Sequence, residues 1–405
     1  MVFRLSRWLK IALLNLLIVA TIGVILRYKI LYPLPVVDQR NLLFGHYHFA
    51  FTGWLSQAIM TLLIAYLVRQ TNENVYKRYQ WLLFANLVTA YGMLIAFPLE
   101  GYGLFSITLS TLSILVSYVF AFFYWRDLNS IHTANPSHLW FKAGVLLNAV
   151  SSLGAFSLTI MMVTKNMHQN WYLASQYFYL HFQYNGWFFF SCMGLFMELL
   201  SRLEIPIQSL KKIFWLFAFA VVPAYFLSAL WMTLPAWVYI LVVISALAQV
   251  TSWVWLVKLL KARWPILIKE FSVPVKTLLG LSALALSVKL FLQLGSTIPS
   301  LSTLAFGFRP IVIGYLHLVL LGVISLFLLG YMFNQKELNP NKQTIRGGFV
   351  FATGVILNEM LLMIQGVGAI YYTAIPFINE MLLGTALIIF GGIGLIFFSK
   401  RNVFS

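Results

Sequence analysis

The sequence predicts an all-α polytopic membrane protein, a bundle of twelve transmembrane helices. Three observations predict it: the composition, the recurrence of apolar runs long enough to cross a bilayer, and the sorting of basic residues between alternate connections. Of the 405 residues 61% are hydrophobic and 9% charged, too little polar surface to cover a water-soluble globule. The single cysteine, Cys192, excludes an internal disulfide. A formal net charge of +17 would suggest a nucleic-acid partner in a soluble protein, but here the charges are distributed by loop, so no nucleic acid is expected.

A helix rises about 1.5 Å per residue, so roughly 20 apolar residues cross about 30 Å of hydrocarbon. The first run, 9–28, follows MVFRLSRWLK and leads into RYKILYPLP without a small-residue cleavage pattern, so it reads as a retained span and not as a signal peptide. The second, 42–68, lies between Arg40 and Arg69; the third and fourth, 80–98 and 102–124, are divided at Pro98. The fifth covers 141–163 and the sixth 172–200. Pro206 precedes the seventh, 212–233, and Pro235 separates it from the eighth, 236–257. The ninth, 274–295, ends before Pro299, and the tenth, 310–333, opens at Pro310. The eleventh, 347–367, and the twelfth, 376–398, complete the set, the last opening at Pro376. The connections leave no room for a soluble domain, so residues 1–405 read as one twelve-span membrane domain.

Orientation follows from the basic residues. Those before the first span and in alternate connections are Arg4, Arg7, Lys10, Arg69, Lys77, Arg78, Arg126, Lys142, Arg202, Lys211, Lys212, Lys258, Lys261, Arg263, Lys269, Lys276, Lys336, Lys342, Arg346, Lys400 and Arg401, twenty-one in all. The opposite connections hold only five: Arg27, Lys29, Arg40, Lys165 and Arg309. Because cytoplasmic loops accumulate Lys and Arg, both termini are expected in the cytoplasm, and even-numbered spans run from outside to inside.

Depth now has meaning. His46 and His48 on the second span, His181 on the sixth and His317 on the tenth fall roughly 7–15 Å below the outer surface at 1.5 Å per residue, on three parallel helices. An imidazole in hydrocarbon needs a partner. Any one of them alone is equally well explained by interhelical hydrogen bonds to residues such as Tyr184, Asn185 or Gln57. All at one depth favour haem or metal ligation, since neutral imidazole is the commonest ligand of both. His132, His138 and His168 fall in loops, where a solvated surface role is expected.

The helix faces agree with this. His46, Ala50, Gly53 and Gln57 recur at helical spacing as a flat small-residue stripe beside which a porphyrin could lie. Residues two apart diverge by about 200°, so His46 and His48 are expected to serve different partners. Tyr177, His181, Tyr184, Asn185 and Phe188 form a polar stripe that must point into the bundle.

With FGHYHFAFTGW in the second span and GYLHLVLLGVISLFLLGY in the tenth, the chain resembles subunit I of the haem-copper oxidase superfamily, in particular its nitric-oxide-response NnrS branch. The resemblance covers the whole chain by pattern. It implies a low-spin haem held by His317 and by His46 or His48, His46 being preferred for its small-residue face. It also implies copper at His181, with His48 as the leftover second-span histidine, and a redox partner or additional membrane subunits in the cell inner membrane. Two departures weaken the oxidase chemistry. Tyr315 stands where the tenth span of oxidases carries a further histidine, and the seventh span, KIFWLFAFAVVPAYFLSALWM, contains no histidine for a copper centre. Oxygen reduction to water is therefore not expected. Arg309 and Arg40 are the outer-surface arginines available to haem propionates.

Lys289, Glu359 and Glu380 lie inside spans, and an intramembrane ion pair that neutralises Lys289 with one of the acids is expected. Gly366, Gly368, Gly384, Gly391, Gly392 and Gly394 read as sites of close helix packing. Two functions are compatible with these residues: a haem protein of electron transfer or nitric-oxide or metal response without a complete oxygen-reducing centre, and a transporter or channel whose intramembrane histidines bind a metal or other substrate.

Overall fold

A computed structural model of the protein describes residues 4–71, 75–132, 135–201, 205–335 and 340–399. Of the basic residues counted above, Arg202, Lys336, Lys400 and Arg401 lie outside the described residues. Every regular element among the described residues is helical. In chain order the principal helices are α1 (Leu5–Leu31), α2 (Gln39–Gln70), α3 (Tyr76–Glu100), α4 (Leu104–Asn129), α5 (Ser137–Val163) and α6 (169–200). They continue with α7 (Ile207–Val221, with a 3₁₀ turn over Pro223–Ala229), α8 (Ala236–Ala262), α9 (Val273–Gly295), α10 (Arg309–Phe333), α11 (Lys342–Ile370) and α12 (Ile378–Phe397).

Ten of these are long and apolar enough to cross a membrane, or eleven if the two parts of α7, bent by 47°, count as one span. The sequence expectation was twelve, and the difference has two physical causes. Pro223 interrupts α7, and the middle of α6 carries Gln183, Tyr184 and Asn185, which dilute its apolar character. The chain is an all-α, multi-pass membrane protein in contact with lipid. α4 illustrates the contact: Leu104, Phe105, Leu112, Leu115, Val119 and Phe122 are all exposed along it, an arrangement hydrocarbon accepts and water penalises by about 25 cal/mol per Å². The polar side chains Asn15, Gln57, Thr61, Asn86 and Gln183 are buried inside instead.

Local chemistry sets the helix ends. Asp38 caps α2 by accepting from the Asn41 N–H at 2.7 Å, and Asn341 caps α11 by accepting from Thr344 N–H at 2.9 Å. α3 stops at Gly101, whose φ of 64° is one that L side chains rarely adopt.

By contact density the chain divides into two compact units. The first comprises 1–131, 273–281 and 325–405. Within it α12 packs along α11 and α1, and α3 along α2 and α4. The α11–α12 seam is a backbone contact: a Cβ on Gly392 would lie 2.5 Å from Phe351 N, and one on Gly347 2.8 Å from Gly392 O. Gly368 is also closely packed, against Ile375 and Thr373, whereas Gly384, Gly391 and Gly394 have nothing within 4 Å among the described residues. Close packing therefore falls on Gly347, Gly354, Gly368 and Gly392, and not on the whole glycine series. At one end of α3 and α4, Asp127 accepts from Tyr79 Oη at 2.8 Å and pairs with Arg78 and Arg126 at 3.3 and 3.4 Å.

The second unit comprises 132–272 and 282–324. Within it α5 packs along α6, and α7 along α8. Gly154 lets α5 approach the α6 backbone, where a Cβ would lie 2.5 Å from Ser175 O.

Candidate functional site

Three helices share an irregularity next to their histidines. α2 passes into a π-helical segment at Ala50–Ser56, α6 at Phe182–Phe188, and α10 at Leu318–Ser325. In π geometry each N–H reaches back five residues, which inserts an extra residue per turn and rotates the faces on either side. In each case the segment begins one or two residues after a histidine: His48, His181 or His317. The expected straight stripe of His46, Ala50, Gly53 and Gln57 is broken by the first segment. Gly53 is moreover covered by a ring of its own helix, since a Cβ there would lie 2.6 Å from Phe49, and Gln57 is buried with Oε1 accepting from Asn86 Nδ2 at 2.8 Å. No open small-residue surface runs from His46 to Gln57.

On α2 the two imidazoles diverge, as residues two apart must. His46 turns its Cε1 edge to α1, where a Cβ on Gly23 would be 3.6 Å away. His48 stacks on Phe97 of α3 with ring centroids 4.1 Å apart and an interplanar angle of 6°, and its Nε2 lies 3.4 Å from Tyr102 Oη. Tyr102 also meets Tyr47 hydroxyl to hydroxyl.

His181 is buried, and both of its ring nitrogens are engaged. Nε2 lies 2.8 Å from the Val221 carbonyl, and Nδ1 lies 3.1 Å from Asn185 Nδ2. A carbonyl only accepts, so Nε2 carries the proton and Nδ1 accepts from the amide. The Val221 carbonyl is available because of the bend in α7. In a regular helix it would accept from the N–H of Tyr225, but at Pro223 the chain tightens to 3₁₀ geometry and Tyr225 N–H bonds to Val222 O at 3.2 Å instead. His181 fills the place so released. Of the partners anticipated for a buried histidine here, Asn185 is the one found. Tyr184 lies 6.4 Å from the His181 ring and 6.2 Å from the ring of Tyr315 on α10.

At His317, Nδ1 lies 2.8 Å from the carbonyl of Ile313, one turn earlier on the same helix. Nδ1 is thus the protonated nitrogen, which fixes the tautomer and puts the ring lone pair on Nε2. That is the state in which an imidazole ligates iron or another metal, with its other nitrogen anchored to a carbonyl.

Lys289 is buried with Nζ 5.8 Å from the Phe189 ring centroid, a cation–π contact. Glu359 accepts from its neighbour Asn358 at 3.0 Å, and Glu380 sits in the first turn of α12. Among the described residues no group of three or more His, Cys, Asp or Glu side chains is arranged to hold a metal ion. Haem ligation needs only one or two imidazoles and is a separate matter.

Sequence reasoning passed over Asn15, Asn148 and Ser282, polar residues of α1, α5 and α9 that bond to the π segments. Asn15 Nδ2 donates to Gly53 O at 2.5 Å, Gln183 Nε2 donates to Asn148 Oδ1 at 2.8 Å, and Ser282 Oγ donates to Val323 O at 2.7 Å. Their signal was isolated polarity in an apolar run, as in LLNLL and LLNAV. No protein-family model matches the chain, and no curated protein is similar to it at a significant level.

Proposed function

We propose that the chain is a haem-binding membrane protein of twelve spans with both termini in the cytoplasm. It acts in electron transfer or in nitric-oxide or metal response, and lacks a complete oxygen-reducing centre. The observation that carries this reading is the His317 tautomer, with Nδ1–H held by the Ile313 carbonyl and the lone pair on Nε2. This residue would hold haem iron through Nε2, because the anchored N–H orients the ring and raises the basicity of that nitrogen. His46 and His48 are the candidate ligands on α2. Haem, if bound, would supply a one-electron carrier, and these residues would hold it.

His181 fits copper less well, because metal there has to displace one of its two hydrogen bonds. The lack of histidine on α7 is a further reason to read the chain as something other than a complete terminal oxidase. Support for twelve spans comes from the unbroken helical run of α6, from the apolar character of both parts of α7, and from the sorting of twenty-one basic residues against five. With that charge bias the proposed location is the cell inner membrane, with a redox partner or further membrane subunits as electron source.

The test is the absorbance spectrum of the purified protein, oxidised and dithionite-reduced. A Soret band with sharp reduced bands is expected. A colourless protein after expression with ample haem would instead favour transport through the intramembrane histidines.

A further inference from the structure

One end of α2 and the turn between α3 and α4 bring together polar side chains that the haem reading does not use. Gly45 lets Pro98 of α3 come close, since a Cβ there would lie 3.1 Å from the proline ring. The two helices meet as a result, and His48 stacks flat on the buried Phe97. The turn that follows α3 is clipped in place. Gly101 takes a φ of 64°, open to glycine and rare for other residues. Ser106 Oγ donates to Gly101 O at 2.7 Å and accepts from Gly103 N–H at 2.9 Å, while Glu100 Oε1 accepts from Ser106 N–H at 2.6 Å. Tyr102 is carried on this clip.

Three donor atoms converge there. Tyr102 Oη is hydrogen-bonded to Tyr47 Oη and lies 3.4 Å from His48 Nε2. A separation of 3.4 Å is long for a hydrogen bond to a hydroxyl. It falls within the spacing of roughly 2.8–3.4 Å that separates neighbouring ligand atoms on one metal ion with bonds of about 2.0–2.1 Å. Tyrosines of an interfacial belt turn their hydroxyls out to the headgroups, whereas these two turn theirs to each other and to an imidazole. Only one of the three donors is a histidine; the other two are phenols. Tyr102 is 38% exposed, so an ion reaches the group from the membrane surface without crossing hydrocarbon.

We propose that Tyr47, His48 and Tyr102 form a surface binding site for ferric iron, Fe³⁺, separate from any haem. On binding, each phenol gives its proton to water and its oxygen to the metal, His48 gives the lone pair of Nε2, and water fills the remaining positions. No electron moves, and two phenolates offset two of the three positive charges. The class of ion follows from the donors: tyrosinate is a ligand of ferric iron and imidazole suits iron as well, whereas thiolate and thioether donors, which select softer ions, are absent from the group. Arg40 adds to this, because its Cζ lies 5.5 Å from the Phe44 ring, whose centroid is 4.7 Å from that of Tyr102. Positive charge beside the site favours the phenolate forms. Two of the three ligands are fixed before metal arrives, His48 by Phe97 and Tyr102 by its clipped turn. The assignment leaves His46 as the haem ligand of α2.

The test is iron uptake by the full chain. Purified protein in detergent is stripped with a chelator, titrated with Fe³⁺ as its nitrilotriacetate complex, and read as the difference from the iron-free sample, which cancels the bands of any haem. One equivalent of iron is expected, with a phenolate-to-iron charge-transfer band in the visible and resonance-enhanced tyrosinate Raman modes. Tyr102→Phe keeps the ring against Phe44 and Phe97 but removes the oxygen shared by both partners, so uptake and band should be lost. Tyr47→Phe and His48→Ala should shift the band and lower the occupancy, and Tyr28→Phe, at an exposed tyrosine outside the group, should change neither. If Tyr102→Phe does not fold, Tyr47→Phe decides: a shifted band supports the site and an unchanged one overturns it. Folded wild-type protein that takes up no iron, or an unchanged band in folded Tyr102→Phe, overturns the proposal. Uptake of Cu²⁺ or Zn²⁺ by these residues with none of Fe³⁺ overturns the ferric assignment. Haem-free wild-type protein that binds Fe³⁺ through Tyr102 would refute the haem reading and leave this site standing.

Discussion

His181 and Val221 are joined by a hydrogen bond that exists because α7 breaks: Nε2–H of the imidazole fills the carbonyl left open when Tyr225 bonds one residue short of it, at Val222. The histidine therefore serves two helices, closing the end of one and, through Asn185, tying down the polar middle of its own. In lipid such an open carbonyl has no water to turn to, which gives the bond its weight.

Replacing this side chain with one of similar size and no polar atoms should cost stability more than colour. His181→Phe leaves the Val221 carbonyl and the Asn185 amide unsatisfied, at about 1–3 kcal/mol each, so a clear fall in the thermal unfolding midpoint in detergent is expected, with partial recovery in His181→Gln. A variant of unchanged stability that has lost a bound metal would show the opposite role.

The helices were legible in the sequence because lipid imposes length and apolarity together, and the apolar runs were bounded by turn residues or charge. α6 reads as a span from sequence because the apolar run resumes from Trp187, but Gln183, Tyr184 and Asn185 keep it out of the ten helices that are apolar enough to cross a membrane. The π segments were not legible. Reading His46, Ala50, Gly53 and Gln57 as one face assumes an unbroken 3.6-residue period, and the extra residue over 50–56 breaks it. The saturation of His181 depends on a carbonyl exposed by a bend in a helix forty residues away, which composition and spacing do not reveal.

The glycines of α12 provide a graded test of packing. A Cβ on Gly392 would meet the Phe351 backbone at 2.5 Å, and backbone cannot move aside without separating α11 from α12. Gly392→Ala is expected to destabilise by roughly 1–3 kcal/mol as overpacking does. Gly391→Ala, directly adjacent in sequence but facing open space, should be neutral or stabilising by up to about 1 kcal/mol through helix propensity. Thermal unfolding of the two variants side by side decides the point, and equal effects would contradict the seam.

Topology is tested by reporters. A reporter fused after Ser405 should be cytoplasmic, and one inserted near His168 should be external, because the loops on the first side hold twenty-one basic residues against five on the other. Reversed activities would put the histidines near the cytoplasmic surface and remove the comparison with oxidase subunits.

The most discriminating experiment is a set of single histidine substitutions read by optical and electron paramagnetic resonance spectra. His317→Ala should abolish the low-spin signal, since it removes the imidazole whose tautomer is fixed by Ile313. His181→Ala should leave that signal in place while lowering stability, because both of its nitrogens are already committed. His46→Ala and His48→Ala should separate cleanly: one imidazole turns to Gly23 on α1 and the other stacks on Phe97 of α3, so neither replaces the other without rotating the helix. Loss of the low-spin signal in His46→Ala with retention in His48→Ala is the expected pair. Retention of an unchanged haem spectrum and stoichiometry in His317→Ala would return the histidines to hydrogen bonding or to a transport site.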